Sequence, residues 1–332
     1  MASTTIYDVA GAAKVSLATV SRVMNNPEKV NPETREKVLR VIKELGYRPN
    51  AIARGLASRK TTTIGIIMAD VSRSATAQLL GGIQDIAKKY EYSIKIFSIG
   101  HDEDIAEAMR TIIAEQVDGI LFLNDELEKE QMNIAMNAIQ DAMIPVVLSN
   151  VFYEDESVPC VAINYEAATY EITKKMIEYG RKNVYFFTTA RKYSINTQKE
   201  AGYLDAIKEA GLEPRIFSTS GDVAINSLHF QEFFQDNKID GAIAVRDSIA
   251  ISFMNVAQDN GVKIPNDISV VGLQNTKYAI LSRPNLTCVD TPVYDIGAVS
   301  MRLLTKYMKQ EEVGNNRVLL PYRFIRRNTT NS

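Results

Sequence analysis

From Thr61 onward the chain alternates short apolar runs with stretches of helical spacing, and it does so twice. TTTIGIIMA, YSIKIFSI, VDGILFLN and IPVVLSNV look like strands buried on both faces, and helices are predicted near 75–90, 102–115 and 126–141. NVYFFTTA, RIFST, DGAIAV and ISVVGL repeat the scheme, with helices near 166–180, 196–210, 223–235 and 247–260. Strand and helix in turn favour parallel sheets covered on both sides, so two doubly wound lobes of one architecture are expected. With 332 residues and 45% hydrophobic content, the chain can fill large cores and leave room for a smaller unit.

That smaller unit precedes the lobes. Thr5 is placed to cap a helix carrying Ile6, Val9, Ala10 and Ala13, with Asp8 completing the cap. After a break at Lys14 and Val15, Ser16 caps a second helix, Leu17 to Asn25. Its Val20, Val23 and Met24 point one way, and Leu17, Ala18, Ser21 and Arg22 the other. A third helix opens at Asn31 and Pro32, is expected to bury Val38, Ile42 and Leu45, and stops at Gly46. Two short helices so joined form a helix-turn-helix, whose second helix enters the major groove of DNA. Its outward face has the residue types that base reading needs. Arg22 can fork onto guanine, Ser16, Thr19 and Ser21 can bond phosphates or bases, and Leu17 and Ala18 can touch thymine methyls. Charge separates this reading from a plain three-helix bundle. Residues 1–61 hold eleven Lys and Arg against five Asp and Glu, leaving a formal −8 for the rest of a chain whose total is −2.

TIYDVA, then VSLATVSRVMN, then LGYRPNAIARGLASRKTTTIG resembles the LacI/GalR family of bacterial repressors. The resemblance implies an α/β chain with an N-terminal three-helix helix-turn-helix head plus hinge helix, then a two-lobed doubly wound periplasmic-binding-protein-like core. It implies a head at 1–49, a hinge at 50–60, a first lobe of 61–163 plus 291–321 and a second of 164–290 plus 322–332. Crossovers would fall near Asn164, Asp290 and Pro321, and the helix Val293 to Met308 would join the first lobe. By the same resemblance the protein is a homodimer on a pseudo-palindromic operator, with hinges folding in the minor groove and Leu56 as the wedge. Burial of Leu56 against the body is the alternative. The implied DNA contacts are Thr5, Tyr7, Ser16, Leu17, Ala18, Thr19, Ser21, Arg22, Tyr47, Asn50, Ala53 and Leu56.

Many members of that family bind an effector between the lobes. Here Asp247, Lys199 and Gln274 occupy the positions implied, with a loop or helix-cap role as the alternative for Asp247. An aromatic that often follows Asp70 is missing from VSRSATAQLL, which has Ala75 and Thr76; Lys199 stands where many members have arginine, and Gln274 replaces an acid. Such a pocket should hold plain sugars weakly, and a sugar phosphate is the ligand considered. TPVYDIGAVSMRLLTKYM (291–308), RPNAIARGLASRKTTT and KYEY (89–92) are similar to a carbon-regulating branch of the family, whose corepressor is the phosphocarrier HPr phosphorylated on serine. Tyr90, Tyr92, Tyr294, Asp295, Arg302 and Lys306 are the residues implied for that contact. Arg302 and Lys306 lie four apart, so they share a helix face and offer a phosphoserine a fork and a point charge. A solvated helix face is the plain alternative.

Other classes fit less well. His101 and His229 are the only histidines, neither stands beside a nucleophile or second ligand, and no glycine loop cradles phosphate, so no enzyme, metal or cofactor is expected. Gly81 and Gly82 fall inside a helix pattern. A solute-binding protein would need an export signal and would have no use for the head. No apolar run suffices to cross a bilayer, so a cytoplasmic location is expected. Cys160 and Cys288 sit in apolar surroundings and should be buried free thiols.

Overall fold

The computed structural model describes residues 4–47, 61–100, 102–191 and 193–331. The chain divides into two units, Met1–Thr62 and Thr63–Ser332. In the first, α1 (Ile6–Ala13) starts where the Thr5 hydroxyl accepts the Asp8 amide at 3.4 Å and the Asp8 carboxylate accepts the Thr5 amide at 2.8 Å. Two donors that the helix leaves free are thereby satisfied. Lys14, in the left-handed region at φ 52°, ends it. The Ser16 hydroxyl caps α2 (Leu17–Asn25) by accepting the Thr19 amide at 3.1 Å, and Asn31 caps α3 (Pro32–Glu44) by accepting from Glu33 at 3.0 Å. Val9, Ala13, Val20, Val23, Val38 and Val41 form the shared core. Leu45 departs from the spacing-based expectation: it is 39% exposed, with Val41 buried in its place and Ile42 half-buried. The cause is position, since Leu45 caps the helix and Gly46 then turns the chain at φ +59°.

The second unit carries two six-stranded sheets. In the first, β1 (Thr63–Met68), β2 (Ser93–Ser98), β3 (Gly119–Phe122), β4 (Val146–Ser149), β5 (Cys160–Ile163) and β11 (Arg317–Leu320) run parallel in the order β11-β5-β4-β3-β1-β2. The other contains β6 (Val184–Thr189), β7 (Arg215–Thr219), β8 (Gly241–Ala244), β9 (Ser269–Gly272), β10 (Thr287–Asp290) and β12 (Arg323–Ile325). Its order is β12-β10-β9-β8-β6-β7, and β12 alone runs antiparallel to its neighbour. The chain passes between sheets three times, after β5, after β10 and between β11 and β12. β5, β10, β11 and β12 were not among the strands expected from apolar runs; each has only three or four residues.

Both faces of the first sheet's central strands are covered, as continuously apolar strands require; β2 and β7, expected to be buried, lie at sheet edges and are largely exposed or half-buried, with Ile96 at 47%. Ile64, Ile66 and Met68 of β1 face the core shared with α4 (Ser74–Lys89), whereas Ile67 faces α5 (Ile105–Ala114) and α6 (Lys129–Asp141) through Met109, Ile112 and Ile139. The second sheet is packed by α7 (Tyr165–Glu178), α8 (Ser194–Glu209), α9 (Val223–Asp236), α10 (Asp247–Asp259) and the short α11 (Lys277–Leu281). A group of aromatic rings around Phe187, Phe230 and Phe253 fills its interior. The last helix, α12 (Val293–Met308), returns to the first sheet and packs on α4, β3, β4 and β5.

Glycine sets the closeness of that helix pair. A methyl group at Gly82 would lie 2.0 Å from the Tyr294 carbonyl oxygen, and one at Gly297 would lie 2.1 Å from that of Leu79. The helical glycine at 82 is thus a packing residue, with backbone against backbone. Cys160 and Cys288 are buried free thiols, and burial pushes the Cys160 thiol up to about 11.

Candidate functional site

The outward face of α2 follows from how its inward face is anchored. With Val20 and Val23 fully buried, Leu17, Ala18 and Arg22 are turned to solvent, and Thr19 and Ser21 are half-buried between. Ser16 and Thr19 share a hydroxyl contact of 2.9 Å, which fixes two polar groups at the helix start. Thr5 is exposed, Tyr7 stands 70% exposed on α1, and Tyr47 is half-buried against the head's core. Of the residues expected to touch DNA, Asn50, Ala53 and Leu56, with the whole hinge at 50–60, lie outside the described residues, as does His101.

In the second unit, the carboxyl ends of strands from both sheets open onto a cleft of about 480 Å³. Strand ends are where ligands sit in such sheets, because turns there present side chains without obstructing the sheet. Lys199 reaches it from α8 and is buried at 3% exposure; its Nζ donates to the Val245 carbonyl at 2.9 Å and lies 5.0 Å from the Tyr165 ring centre. Gln274, just beyond β9, is half-buried in the lining. Asp247 does not line the cleft. It is fully buried beneath it, where Oδ2 accepts from the Thr276 amide at 2.5 Å and hydroxyl at 2.8 Å. Burial raises its pKa while those two bonds oppose the shift. Gly272 leaves the room it needs, since a methyl there would come within 2.4 Å of Asp247 Oδ1.

Four lining residues carry chemistry that helical and strand spacing did not single out. Arg246 is the neighbour of Asp247 that does face the cleft, its guanidinium 5.3 Å from the Tyr193 ring centre. Tyr193 and Tyr165 supply flat surface in a pocket lacking an aromatic after Asp70. Arg73, at the start of α4, is 3.8 Å from Asp70, 3.4 Å from Asp125 and in an ion pair with Glu126. The alternation of side-chain direction at the end of β8 would have pointed to Arg246; Arg73 and Tyr193 are brought in only by long-range packing.

The close packing of α4 on α12 brings a further set of residues to one lobe. Tyr294 is 45% exposed and donates to Asp85. Asp295, Arg302 and Lys306 are exposed on α12, and neither cation has an ion pair among the described residues. Tyr90, at the end of α4, has the Lys309 ammonium 5.0 Å from its ring centre. Tyr92 differs: it is half-buried against the core, and burial followed by the Asp118 carboxylate raises its phenol pKa. Among the described residues no cluster of three or more His, Cys, Asp and Glu is placed to hold a metal, and no helix is long and apolar enough to cross a membrane.

Comparison with known proteins gives consistent matches across the chain. Residues 5–50 match the family described as bacterial regulatory proteins, lacI family, and residues 61–328 match periplasmic binding proteins and sugar binding domain of LacI family. Catabolite control protein A of Priestia megaterium is 40% identical over 332 residues, covering 98% of this chain and 99% of that protein. Among solved structures, the transcription regulator CcpA of Lactococcus lactis is similar with a TM-score of 0.72 and 29% identity, over 81% of this chain and 99% of the other. The lac repressor dimer bound to operator and an anti-inducer aligns over 100% of both chains with a TM-score of 0.89 and 22% identity, a likeness of fold.

Proposed function

The chain belongs to the LacI family of DNA-binding transcriptional regulators, and from that premise we propose that it is a homodimeric repressor of carbon catabolite genes. Two heads read the halves of a pseudo-palindromic operator, with hinge leucines at Leu56 in its minor groove. The observation that carries this reading is the solvent-facing row Leu17, Ala18 and Arg22 within an N-terminal stretch, residues 1–61, whose formal charge is +6. An isolated head makes too few contacts for a unique site, so pairing is required for specificity. Exposed apolar side chains on the body support a second copy there: Leu228 on α9 and Ile280 and Leu281 on α11 are all more than 60% exposed.

The corepressor in this reading is serine-phosphorylated HPr, seated on α12. Arg302 forks onto the phosphate, Lys306 adds charge one turn on, and Tyr90, Tyr294 and Asp295 give the partner flat and polar contact. Its binding favours the arrangement of the two bodies that brings the hinges together on DNA. Titrating serine-phosphorylated HPr onto the protein and labelled operator tests this. Operator affinity is expected to rise in the parent and stay unchanged in Arg302→Ala, which keeps its own DNA binding; no rise in the parent rejects the corepressor role.

A second reading is favoured by the cleft. Its volume of about 480 Å³ and its cations Lys199 and Arg246, neither in an ion pair among the described residues, suit a small anionic effector, as in repressors of single sugar operons. A sugar phosphate that shifts operator affinity without HPr would select it.

A further inference from the structure

Lys199 is an ammonium donor set in a place poorly furnished to keep it charged. It is almost fully buried on α8, and among the described residues its one hydrogen bond goes to the Val245 carbonyl. The charged form has three donors, so two remain without a protein acceptor. The nearby carboxylates have other partners. Asp247 is bonded by Thr276, and Asp125 faces Arg73. From α7, the Tyr165 ring covers the amine, its hydroxyl bonded to Asn150 at 2.6 Å. From the turn after β8, Arg246 adds a repelling charge; of the other charged groups in the lining, Arg73 is paired with Asp70, Asp125 and Glu126, and Arg191 and Asp222 are exposed.

We propose that Lys199 receives the anionic group of a small molecule in this cleft, and that seating the anion draws a proton onto its amine and ties binding to pH. The inference rests on the cleft being an effector site. Burial and then Arg246 pull the amine from 10.5 down to about 7, against Asp125 and Asp247. An entering phosphate or sulfate ester supplies the acceptors that the protein withholds and a charge opposite to the ammonium. The protonated form is then favoured and the amine takes up a proton from solvent. The sign follows directly: affinity for the anion is full below about pH 7 and falls as pH rises above it. Arginine at this position stays charged throughout and would give no such coupling.

The test is calorimetry on the full chain with glucose 6-sulfate, whose own charge is constant between about pH 6 and pH 9. The association constant of the parent is expected to fall by about tenfold per unit above pH 7, with about one proton taken up per ligand at pH 8, read from the dependence of the heat on buffer. Lys199→Arg is expected to bind with flat affinity and no uptake, and Lys199→Met to bind weakly at every pH. Binding by the parent with flat affinity and no proton uptake overturns the role of Lys199 and leaves the effector site standing. The same pH dependence retained in Lys199→Arg also overturns it, and no binding at any pH removes both the coupling and the effector site.

Discussion

At the scale of single residues, two cations are placed for opposite reasons. Arg22 is exposed on α2, next to the buried Val23, with its guanidinium available to a base edge. Arg22→Ala is expected to cost roughly 1–3 kcal/mol at one base pair of each half-site, measured as lost discrimination between operator variants. Lys199, by contrast, is a charge taken out of water. Its folded-state pKa lies below the unfolded value, so between about 7 and 10.5 the unfolded chain holds the extra proton and stability rises with pH. Lys199→Met should therefore stabilise the chain by roughly 1–4 kcal/mol below pH 7, with the gain shrinking toward pH 10.5 in denaturant titrations. The exposure of Leu17, Ala18 and Arg22 was legible in the sequence because helical spacing is local. The burial of Asp247 was not: its residue type suggested a ligand contact, while its direction is set by Thr276, twenty-nine residues away.

Among elements, the pair α4 and α12 shows what glycine contributes. Neither Gly82 nor Gly297 can accept a methyl without meeting a backbone oxygen, so Gly82→Ala and Gly297→Ala must each push the helices apart. Each should lower the denaturation midpoint by the equivalent of roughly 1–3 kcal/mol. Each should also weaken serine-phosphorylated HPr more than operator DNA, since Tyr90 and Arg302 lie on the two displaced helices. Equal losses for both partners would argue against that corepressor face. From sequence the glycines read only as a pair within a helix, because the opposing helix is more than two hundred residues away. Strands such as β1 and β6 were visible as six-residue stretches rich in apolar side chains, enough to outweigh competing helical spacing. β11 and β12 are shorter and partly exposed, so they carry too little pattern to stand out.

On the scale of the whole molecule, charge is segregated: a basic head is joined to an acidic body. Operator affinity should fall steeply with salt, on the order of a thousandfold between 50 and 200 mM if about six phosphates are neutralised. A fragment starting at Thr63 should keep a cooperative thermal transition and fail to retard operator in a gel. The head and the alternating body were legible because each is written as a continuous pattern, whereas the cleft lining is assembled from turns scattered between Asp70 and Val293. The path of the chain between the sheets also has a consequence for biosynthesis. The first sheet needs β11 and the second needs β12, with Thr329 bonded to Val270 at 2.6 Å, so on a translating ribosome neither sheet is complete until residues beyond 316 have emerged. The three-helix head, whose described contacts fall within residues 4–47, is free to fold long before, so a nascent chain carries a finished basic module while the body behind it is still incomplete.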